Sequence, residues 1–403
     1  MPTLPPSTRI DPPARASATV GWLSQRFELS RGGADHNMRS MEGLRGFAVA
    51  LVFLVHYVTL VDPWIDGLPA LRTFAAGLHT IGNTGVDLFF VLSGYLIYGT
   101  LIARPQPYLR YMRRRVQRLY PAFLVVFATY VALSLAMPSP GKIPPGFAAA
   151  ALYLLQNLLM LPGLFPIEPL ITVAWSLSYE MFYYLVIPLA IAAFALRRRT
   201  GRWRIGLFVA VAVVVLLSVG AIGSHVRLVM FVGGILLWEL LSQGRLRPRG
   251  SGVAALALTA ALLGTLAPID GPAGYAAKVS LLMVGFMILC HTCFARPDAA
   301  LPRHFVWTPL RWLGNMSYSY YLLHGLALKA AFLVLSSVHA PTGREPWLFF
   351  ALLPCMFVLT LLPAAALFLW VERPFSLAAG RAPRARVAVR ESDLSRSVEP
   401  GAR

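Results

Sequence analysis

Charged residues are scarce in this sequence of 403 residues, and acidic residues are the scarcest. Asp, Glu, Lys and Arg together make up 13% of the chain, whereas hydrophobic residues make up 57%. Soluble domains carry roughly a quarter of charged residues, so this shortage excludes an ordinary soluble domain and predicts lipid as the main solvent. The formal net charge is +19, but the arginines lie in short runs between apolar stretches, which is typical of topology signals and argues against nucleic-acid binding.

Cysteine is also rare. Cys290, Cys293 and Cys355 are the only three, and they lie in or at the ends of apolar segments. Such a set excludes a disulfide framework, and the run from Cys290 through His291 to Cys293 has no further ligands at metal-binding spacing. We therefore assign the cysteines to packing and predict neither a bound metal nor a bound cofactor.

Long apolar runs dominate the rest of the chain. A helix needs about 20 residues to cross about 30 Å of hydrocarbon. The sequence predicts an all-α, polytopic transmembrane bundle of about ten spans. The candidate spans, two of them short, are Leu44–Val61, Thr84–Ile102, Leu119–Met137, Val173–Leu196, Ile205–Ile222, Val226–Leu241, Gly252–Pro268, Tyr275–Phe294, Trp312–Ser336 and Trp347–Val371.

One further apolar stretch, Phe147–Leu161, is ambiguous, and the distribution of positive charge decides its assignment. Loops rich in Lys and Arg stay on the cytoplasmic side of a membrane. Counting this stretch as a span would place either Arg113–Arg115 or Arg197–Arg199 on the outer side. We therefore predict a re-entrant or interfacial helix here, with both chain termini in the cytoplasm.

The two ends of the chain differ in composition from the apolar middle. Both ends are rich in Arg, Pro and Ser, which is typical of segments that cannot bury enough apolar surface to fold. The sequence therefore predicts a disordered cytoplasmic arm over residues 1–39, an integral membrane domain over residues 40–377 and a disordered cytoplasmic tail over residues 378–403.

The first span carries Arg45 and His56, eleven positions apart. Eleven helical residues make three turns plus roughly 20° and rise about 16 Å, so both side chains share one face at different depths. A snorkelling arginine and a packed core histidine would explain either residue alone.

Two acidic residues fall inside apolar spans, Asp87 in the second and Glu180 in the fourth. A carboxylate near the middle of a membrane costs about 2.5 to 3.5 kcal/mol on insertion scales, and such groups usually have a function. The predicted topology brings Glu180 to a depth similar to that of His56, with Asp87 slightly further out. The sequence thus predicts one polar pocket drawn from several helices.

The ninth span contributes further polar residues. Ser317 and His324 are seven positions apart and share a helix face, and Asn315 precedes them. Polar contacts between neighbouring helices would explain these residues as well as a function would.

A basic run precedes the third span. Arg118 lies four positions after Arg114 and three after Arg115, so it can share a helix face with either of them. Two guanidinium groups side by side form a fork that is suited to binding phosphate groups. Ordinary contact with anionic lipid headgroups is the alternative.

Taken together, these motifs resemble those of acyltransferase family 3, a family of integral membrane acyltransferases. The resemblance covers about Met38 to Phe375. The matching motifs are Arg45-x10-His56 beside Glu42–Gly46, the block Gly85–Gly94, Arg115-x-x-Arg118 followed by Tyr120 and Pro121, the motif Trp175–Glu180, the run Ser317–His324 and the closing Glu372-Arg373-Pro374.

The resemblance implies acetyl-CoA, or another short acyl-CoA, as cosubstrate and a sugar hydroxyl of a carbohydrate or lipid-linked glycan as acceptor, in the bacterial cytoplasmic membrane. His56 is then the expected general base, and Glu180, or Asp87, would orient it. Donor phosphates are expected on Arg45, Arg114, Arg115 and Arg118. The expected second shell of the pocket comprises Ser93, Trp175, Ser176, Tyr179, Asn315, Ser317 and His324.

Two departures and two alternatives accompany this interpretation. Glu42 stands where the family more often has Asp, and no hydrolase-like domain is expected after the last span, so the membrane domain is expected to complete the transfer itself.

A covalent acyl-histidine at His56 is a second possible mechanism. A proton-coupled secondary transporter is the alternative from another class, because buried acids and histidines also relay protons, although the chain shows no matching halves.

Overall fold

Helices account for nearly the whole structure. In a computed structural model, which describes residues 18–29, 36–137, 142–247 and 249–377, the chain is 82% helical. The α-helices are α1 Ala18–Phe27, α2 His36–Ile65, α3 Pro69–Ala103, α4 Tyr108–Ala136, α5 Phe147–Leu158, α6 Trp175–Ala193, α7 Gly201–Leu217, α8 Val219–Ile222, α9 Val229–Ser242, α10 Ser251–Gly264, α11 Gly271–Ala295, α12 Pro302–Phe305, α13 Thr308–Asn315, α14 Ser317–Val338 and α15 Pro346–Leu367. A π-helix, Phe368–Leu377, continues α15. The predicted all-α fold is confirmed.

Eight of these segments are long and apolar enough to cross a membrane. They are Arg39–Ile65, Pro69–Ala103, Tyr108–Ala136, Thr172–Ala193, His225–Ser242, Gly271–Ala295, Ser317–Val338 and Pro346–Leu377. The two remaining predicted spans form α7 and α10, which have only 17 and 14 residues. The ambiguous stretch forms α5, whose 12 residues reach about 18 Å and cannot cross the hydrocarbon alone. The chain is a multi-pass membrane protein.

Helix α1 corrects the expectation that the whole N-terminal arm is disordered. Phe27, at its end, is buried and lies against the rings of Trp312 and Phe368, with centroids 6.1 and 5.8 Å away. The next residue, Glu28, accepts a hydrogen bond from Arg311. Apolar burial and ion pairing therefore order a segment whose composition alone predicts disorder. The rest of the expected arm, residues 1–17 and 30–35, and the expected tail, 378–403, lie outside the described residues.

Helix α3 lies at the centre of the bundle, between α2 and α9, and glycines set how closely it packs. A Cβ on Gly234 of α9 would collide with the carbonyl oxygen of Val91, and one on Gly94 would collide with that of Phe231. On the α2 side, a Cβ on Gly85 would collide with the carbonyl oxygen of Ala48. Backbone contact of this kind is a usual way for helices to associate in lipid, where apolar burial between helices gives little driving force.

A buried ion pair joins α9 to α7 at one end of the bundle. Arg204 donates to both carboxylate oxygens of Glu239, at 2.6 and 3.0 Å, and Gln243 donates to the same carboxylate at 3.0 Å. The hydroxyl of Tyr98 on α3 also donates to Glu239, which is fully buried. Three helices are thereby tied together on the side where α3 ends.

Candidate active site

A cavity of about 250 Å³ lies among α2, α3, α4, α6 and α14. Its walls combine polar groups from all five helices with apolar and aromatic side chains. The polar residues that the sequence predicts for the site and that line this cavity are Arg45, Ser93, Arg115, Arg118, Ser176, Glu180 and Ser317. The structure thus brings together residues separated by up to 272 positions in the sequence.

Arg45 and Arg118 are held in place by hydrogen bonds at the edge of this cavity. Arg45 donates from Nε to the Ser317 hydroxyl at 3.1 Å. Arg118 donates from Nη1 to Oε1 of Glu372 at 2.5 Å, while Oε2 of that carboxylate accepts from the backbone N–H and the hydroxyl of Ser319, at 3.1 and 2.6 Å. Glu372, from the closing motif, therefore orients Arg118.

Glu180 and Arg115 meet around one tyrosine. The Tyr184 hydroxyl donates a hydrogen bond to Glu180. The guanidinium of Arg115 lies over the ring of Tyr184 and over that of Tyr111, 5.0 Å from each centroid. These cation–π contacts hold the guanidinium in place. Because Arg115 lines the cavity, its guanidinium can contact a ligand there.

The fork predicted for phosphate consists of Arg115 and Arg118, and Arg114 does not belong to it. Arg114 is exposed and does not line the cavity. Helical spacing alone allows either Arg114 or Arg115 to share a face with Arg118, and the structure turns Arg115 toward the cavity. A role for Arg114 in donor binding stays a prediction.

Two further clefts lie beside the cavity at the arginine-bearing end of the bundle. One, of about 180 Å³, shares Arg45, Arg115 and Arg118 with the cavity and is also lined by Leu29 and Asn315. Asn315 therefore lines this cleft and not the cavity of about 250 Å³. Its side-chain amide donates to the carbonyl of Phe27 at 3.0 Å. The other cleft, of about 280 Å³, runs along α3 to Trp238.

His56 pairs with His324 and not with Glu180. The two imidazole centroids are 4.8 Å apart in an edge-to-face arrangement. His324 is fully buried, and its Nδ1 lies 3.0 and 2.9 Å from the carbonyl oxygens of Tyr320 and Tyr321, so Nδ1 carries the proton and Nε2 is left as an acceptor. Within the described residues, Nε2 has no hydrogen-bond partner.

The histidine pair lies next to the cavity and does not line it. Tyr321, which does line the cavity, has its ring 6.1 Å from that of His324, and its hydroxyl contacts Ser176 at 2.6 Å. Glu180 accepts a hydrogen bond from Tyr184 on its own helix, and no hydrogen bond joins it to His56 within the described residues, so its role in fixing the tautomer of His56 stays a prediction.

Asp87 also departs from expectation, because it lies outside the cavity in a buried ion pair. Arg227 donates to both of its carboxylate oxygens at 2.8 Å. Two predicted second-shell residues accompany this pair. Arg227 lies over the ring of Trp175, 5.4 Å from the centroid, and the Tyr179 hydroxyl contacts Nδ1 of His225 at 2.5 Å. Trp175 therefore packs on this pair, and Tyr179 contacts the segment that carries Arg227 through His225.

Sequence reasoning passed over Arg227 and the structural role of Glu372. Arg227 could have been found, since an arginine at the start of the apolar segment Val226–Leu241 needs a partner, and intramembrane charges are functional by default. Glu372 was part of a recognised motif, but no spacing rule links it to Arg118, 254 positions away.

A known protein family matches most of this chain. The sequence model of a family described as an acyltransferase domain matches residues 38–369, nearly all of the membrane region. The protein is therefore an integral membrane enzyme that transfers acyl groups. It belongs to acyltransferase family 3, as its motifs indicate, and the expected enzyme class is confirmed. Membership favours this activity over the alternative of a secondary transporter.

Several characterised relatives support the assignment. The exopolysaccharide production protein ExoZ of Rhizobium meliloti is 28% identical over 330 residues, which cover 76% of this chain and 92% of ExoZ. The acyltransferase MdmB of Streptomyces mycarofaciens is 28% identical over 327 residues, 72% of this chain and 79% of MdmB. The O-acetyltransferase OatA of Staphylococcus aureus is 33% identical over 163 residues, 38% of this chain and 24% of OatA. No solved structure matches significantly.

Proposed function

We propose that the protein transfers an acetyl group, or another short acyl group, from acyl-CoA to a hydroxyl of a carbohydrate or lipid-linked glycan. It would do so in the bacterial cytoplasmic membrane, with both termini in the cytoplasm. The names of two relatives, an exopolysaccharide production protein and an O-acetyltransferase, support the acceptor class and the acyl group. Glycan and lipid bilayer are then its partners, together with the donor.

The positions of the basic loops support this orientation. The connections that hold Arg104 and Arg197–Arg199 lie at the same end of the bundle as the arginine fork, since Arg197 donates to the carbonyl of Leu101 at 2.7 Å. Positively charged loops face the cytoplasm. The clefts at this end therefore face the compartment that supplies acyl-CoA.

The observation that carries the proposal is the convergence of Arg45, Arg115 and Arg118 where the clefts meet the cavity. Guanidinium groups are well suited to bind phosphates with paired hydrogen bonds. With the phosphates held there, the narrow acyl-bearing arm of the donor would extend into the cavity past Glu180 and toward Tyr321. This placement brings the thioester close to the histidine pair.

For the chemistry, we propose His56 as general base and His324 as the residue that positions it. The imidazole of His56 takes the proton from the acceptor hydroxyl, whose oxygen attacks the thioester carbonyl. The C–S bond breaks, the acyl group remains on the acceptor oxygen, and the departing thiolate takes up the proton as the CoA thiol. His324, held through Nδ1, presents Nε2 as an acceptor that can orient His56. An acyl group carried first by His56 is the alternative sequence of steps.

A pair of neighbouring arginines tests donor binding. We would measure binding of radiolabelled acetyl-CoA, and acetyl transfer to membrane glycan, with the full-length protein in lipid nanodiscs. Arg115→Gln should weaken donor binding by about tenfold or more, the value of one lost charged hydrogen bond. Arg114→Gln is the matched control, because Arg114 is exposed on the same turn and does not line the cavity. Equal donor affinity in the two variants would contradict the proposal.

The histidine assignment has its own test. His56→Ala should abolish transfer while leaving acetyl-CoA binding unchanged, because the donor phosphates bind far from it. Loss of donor binding in this variant, with normal binding in Arg115→Gln, would reverse the assigned roles. Incubation with labelled acetyl-CoA in the absence of glycan separates the two mechanisms, because a covalent label on the protein indicates an acyl-histidine.

The acceptor can be found by mass. Glycans and secreted small molecules from cells with and without the protein should differ by one acetyl group on one species. Identical masses for every such species would argue against the proposed acceptor class.

A further inference from the structure

A second cavity, of about 340 Å³, lies at the end of the bundle opposite the arginine fork, among α3, α10, α11 and the segment before α9. This volume falls in the range of roughly 300 to 1,000 Å³ typical of small-molecule sites. Most of its lining residues carry a polar group, and apolar atoms supply most of the exposed wall between these groups. The residues around it are Thr80, Asn83, Thr84, Asp87, Arg227, Thr265, Tyr275, Lys278, Val279 and Leu282.

The Asp87–Arg227 pair forms a fixed polar wall of this cavity. Arg227 uses Nε and Nη2 on the carboxylate of Asp87, and Nη2 also donates to the carbonyl of Asn83 at 2.7 Å. Its Nη1 makes no hydrogen bond to any residue that the structure describes. The guanidinium is therefore held rigidly, with one amino group available to a ligand.

A second cation and an aromatic ring complete the lining. Lys278 on α11 is partly buried and forms no ion pair within the described ranges. Tyr275 lies one helical turn earlier on the same face, and the Thr80 and Thr265 hydroxyls keep lone pairs free after donating to helix carbonyls. The cavity thus offers several donors and acceptors beside one flat apolar ring.

We propose that this cavity binds a sugar unit of the acceptor, a site that rests on the function proposed above. A sugar ring presents many hydroxyls, each of which donates and accepts, around a weakly polar face. Arg227 Nη1 and Lys278 would donate to these hydroxyls, the threonine hydroxyls and the Asn83 amide would accept or donate, and Tyr275 would pack against the ring face.

The position of this cavity suits an acceptor that must reach the acyl group. The cavity of about 250 Å³ described above is the donor cavity, and Val86 and Ser176 line it. Each is next in sequence to a residue on the side of the second cavity: Val86 precedes Asp87, and Ser176 follows Trp175. Trp175 in turn lies over Arg227. The two cavities therefore lie on either side of α3 and the Asp87–Arg227 pair. Under the proposed orientation, donor and acceptor enter from opposite sides of the membrane.

Steady-state kinetics test this site. The acceptor probe is the membrane glycan extracted from cells that lack the protein, with radiolabelled acetyl-CoA as donor and full-length enzyme in nanodiscs. Lys278→Gln and Asn83→Ala should each raise the KM for the extract by about tenfold, the value of one hydrogen bond to a bound ligand, and leave the KM for acetyl-CoA unchanged. Lys329→Gln, an exposed lysine on α14, is the matched control. An unchanged KM for the extract in both cavity variants would overturn the proposal.

Cysteine protection gives a test that does not depend on turnover. In a Cys355→Ser background, which removes the exposed native thiol, Thr265→Cys should react with a membrane-impermeant maleimide added from the extracytoplasmic side. The extract should slow this reaction, and it should not slow labelling of Ser337→Cys, an exposed control on α14. Equal labelling rates with and without extract would count against the site. If the wild type transferred no acetyl group at all, the proposed function would fail, and protection would still decide whether this cavity binds glycan.

Discussion

Arg118 and Glu372, 254 positions apart, form a hydrogen-bonded ion pair at 2.5 Å that joins α4 to the π-helix at the end of α15. The carboxylate is fully buried, and the guanidinium reaches the donor cavity. A π-helical stretch is rare and is often found at functional sites. Here it places Glu372 where it can accept hydrogen bonds from Arg118 and Ser319 together.

Glu372→Gln keeps the size of this side chain and removes its charge. Because Arg118 would then lose its buried counter-ion, we expect a loss of stability of about 3 to 5 kcal/mol, the usual result of removing one partner of a buried pair. Donor affinity should also fall. Thermal unfolding in detergent and acetyl-CoA binding would measure the two effects. Arg373→Gln is the control, since Arg373 is only partly buried and donates to a single carbonyl; a wild-type profile in Glu372→Gln would show that the pair has no such role.

Arg311 holds α1 and α2 together at the mouth of the smaller cleft. It donates to Glu42 from Nε and Nη2, at 3.1 and 3.0 Å, and to Glu28. Arg311→Gln should destabilise the protein by about 1.5 to 3 kcal/mol, because the buried carboxylate of Glu42 would lose its charged hydrogen bonds from Arg311. Thermal unfolding in detergent measures this loss.

Glu28→Gln should have a narrower effect. Glu28 is about a third exposed, at 31% of its side chain, so global stability should change by about 1 kcal/mol or less. Helix α1 should nevertheless detach more often, and trypsin should cleave after Arg26 faster than in the wild type. Limited proteolysis followed by mass spectrometry measures this rate. No change in cleavage would mean that Phe27 and Asn315 hold the helix without the ion pair.

The Asp87–Arg227 pair should contribute to positioning and stability and not to proton transfer. Asp87→Asn should lower stability by about 3 to 5 kcal/mol, since Arg227 would remain buried without a counter-ion. The double variant Asp87→Leu, Arg227→Met should recover most of that loss, because apolar residues of similar size often replace a buried pair at little cost. The test is thermal unfolding of the single variants Asp87→Leu and Arg227→Met and of the double variant. A double variant as unstable as the sum of the single ones would show that the two residues act independently.

Two glycines in apolar helices should respond in opposite ways to the same substitution. Gly234→Ala should displace α9 from α3 and reduce the yield of folded protein, because its Cβ would collide with the backbone at Val91. Gly206→Ala, in α7, meets no atom within 4 Å and should be neutral or stabilising by up to about 1 kcal/mol. Size-exclusion profiles and unfolding temperatures would compare them. Similar behaviour of the two variants would mean that backbone contact does not hold α9 against α3.

Much of the donor cavity could be predicted from the sequence because helical periodicity and charge fix what happens within one helix. The spacing from Arg115 to Arg118 places both residues on one face, and the cost of a charge in lipid singles out Glu180. All three residues line the cavity together with Arg45. The all-α fold followed from the apolar runs in the same way.

The contacts between helices could not be predicted by these rules. Periodicity states which residues share a face but not which neighbour that face meets, so His56 was matched with Glu180 when the structure pairs it with His324. Asp87 was placed in the pocket for the same reason, since its partner Arg227 is 140 positions away. The rotation of each helix depends on where backbones touch, and those contacts depend on pairs of small residues far apart in sequence.

Helix α3 contributes side chains to both the donor cavity and the polar cavity behind it, and it runs without a break for 35 residues. If a ligand in one cavity tilts this helix, the width of the other cavity changes with it. Thermodynamic reciprocity then requires that the donor alter acceptor affinity by the same factor as the acceptor alters donor affinity. Binding of a labelled donor with and without an inhibitor of the polar cavity would measure that factor.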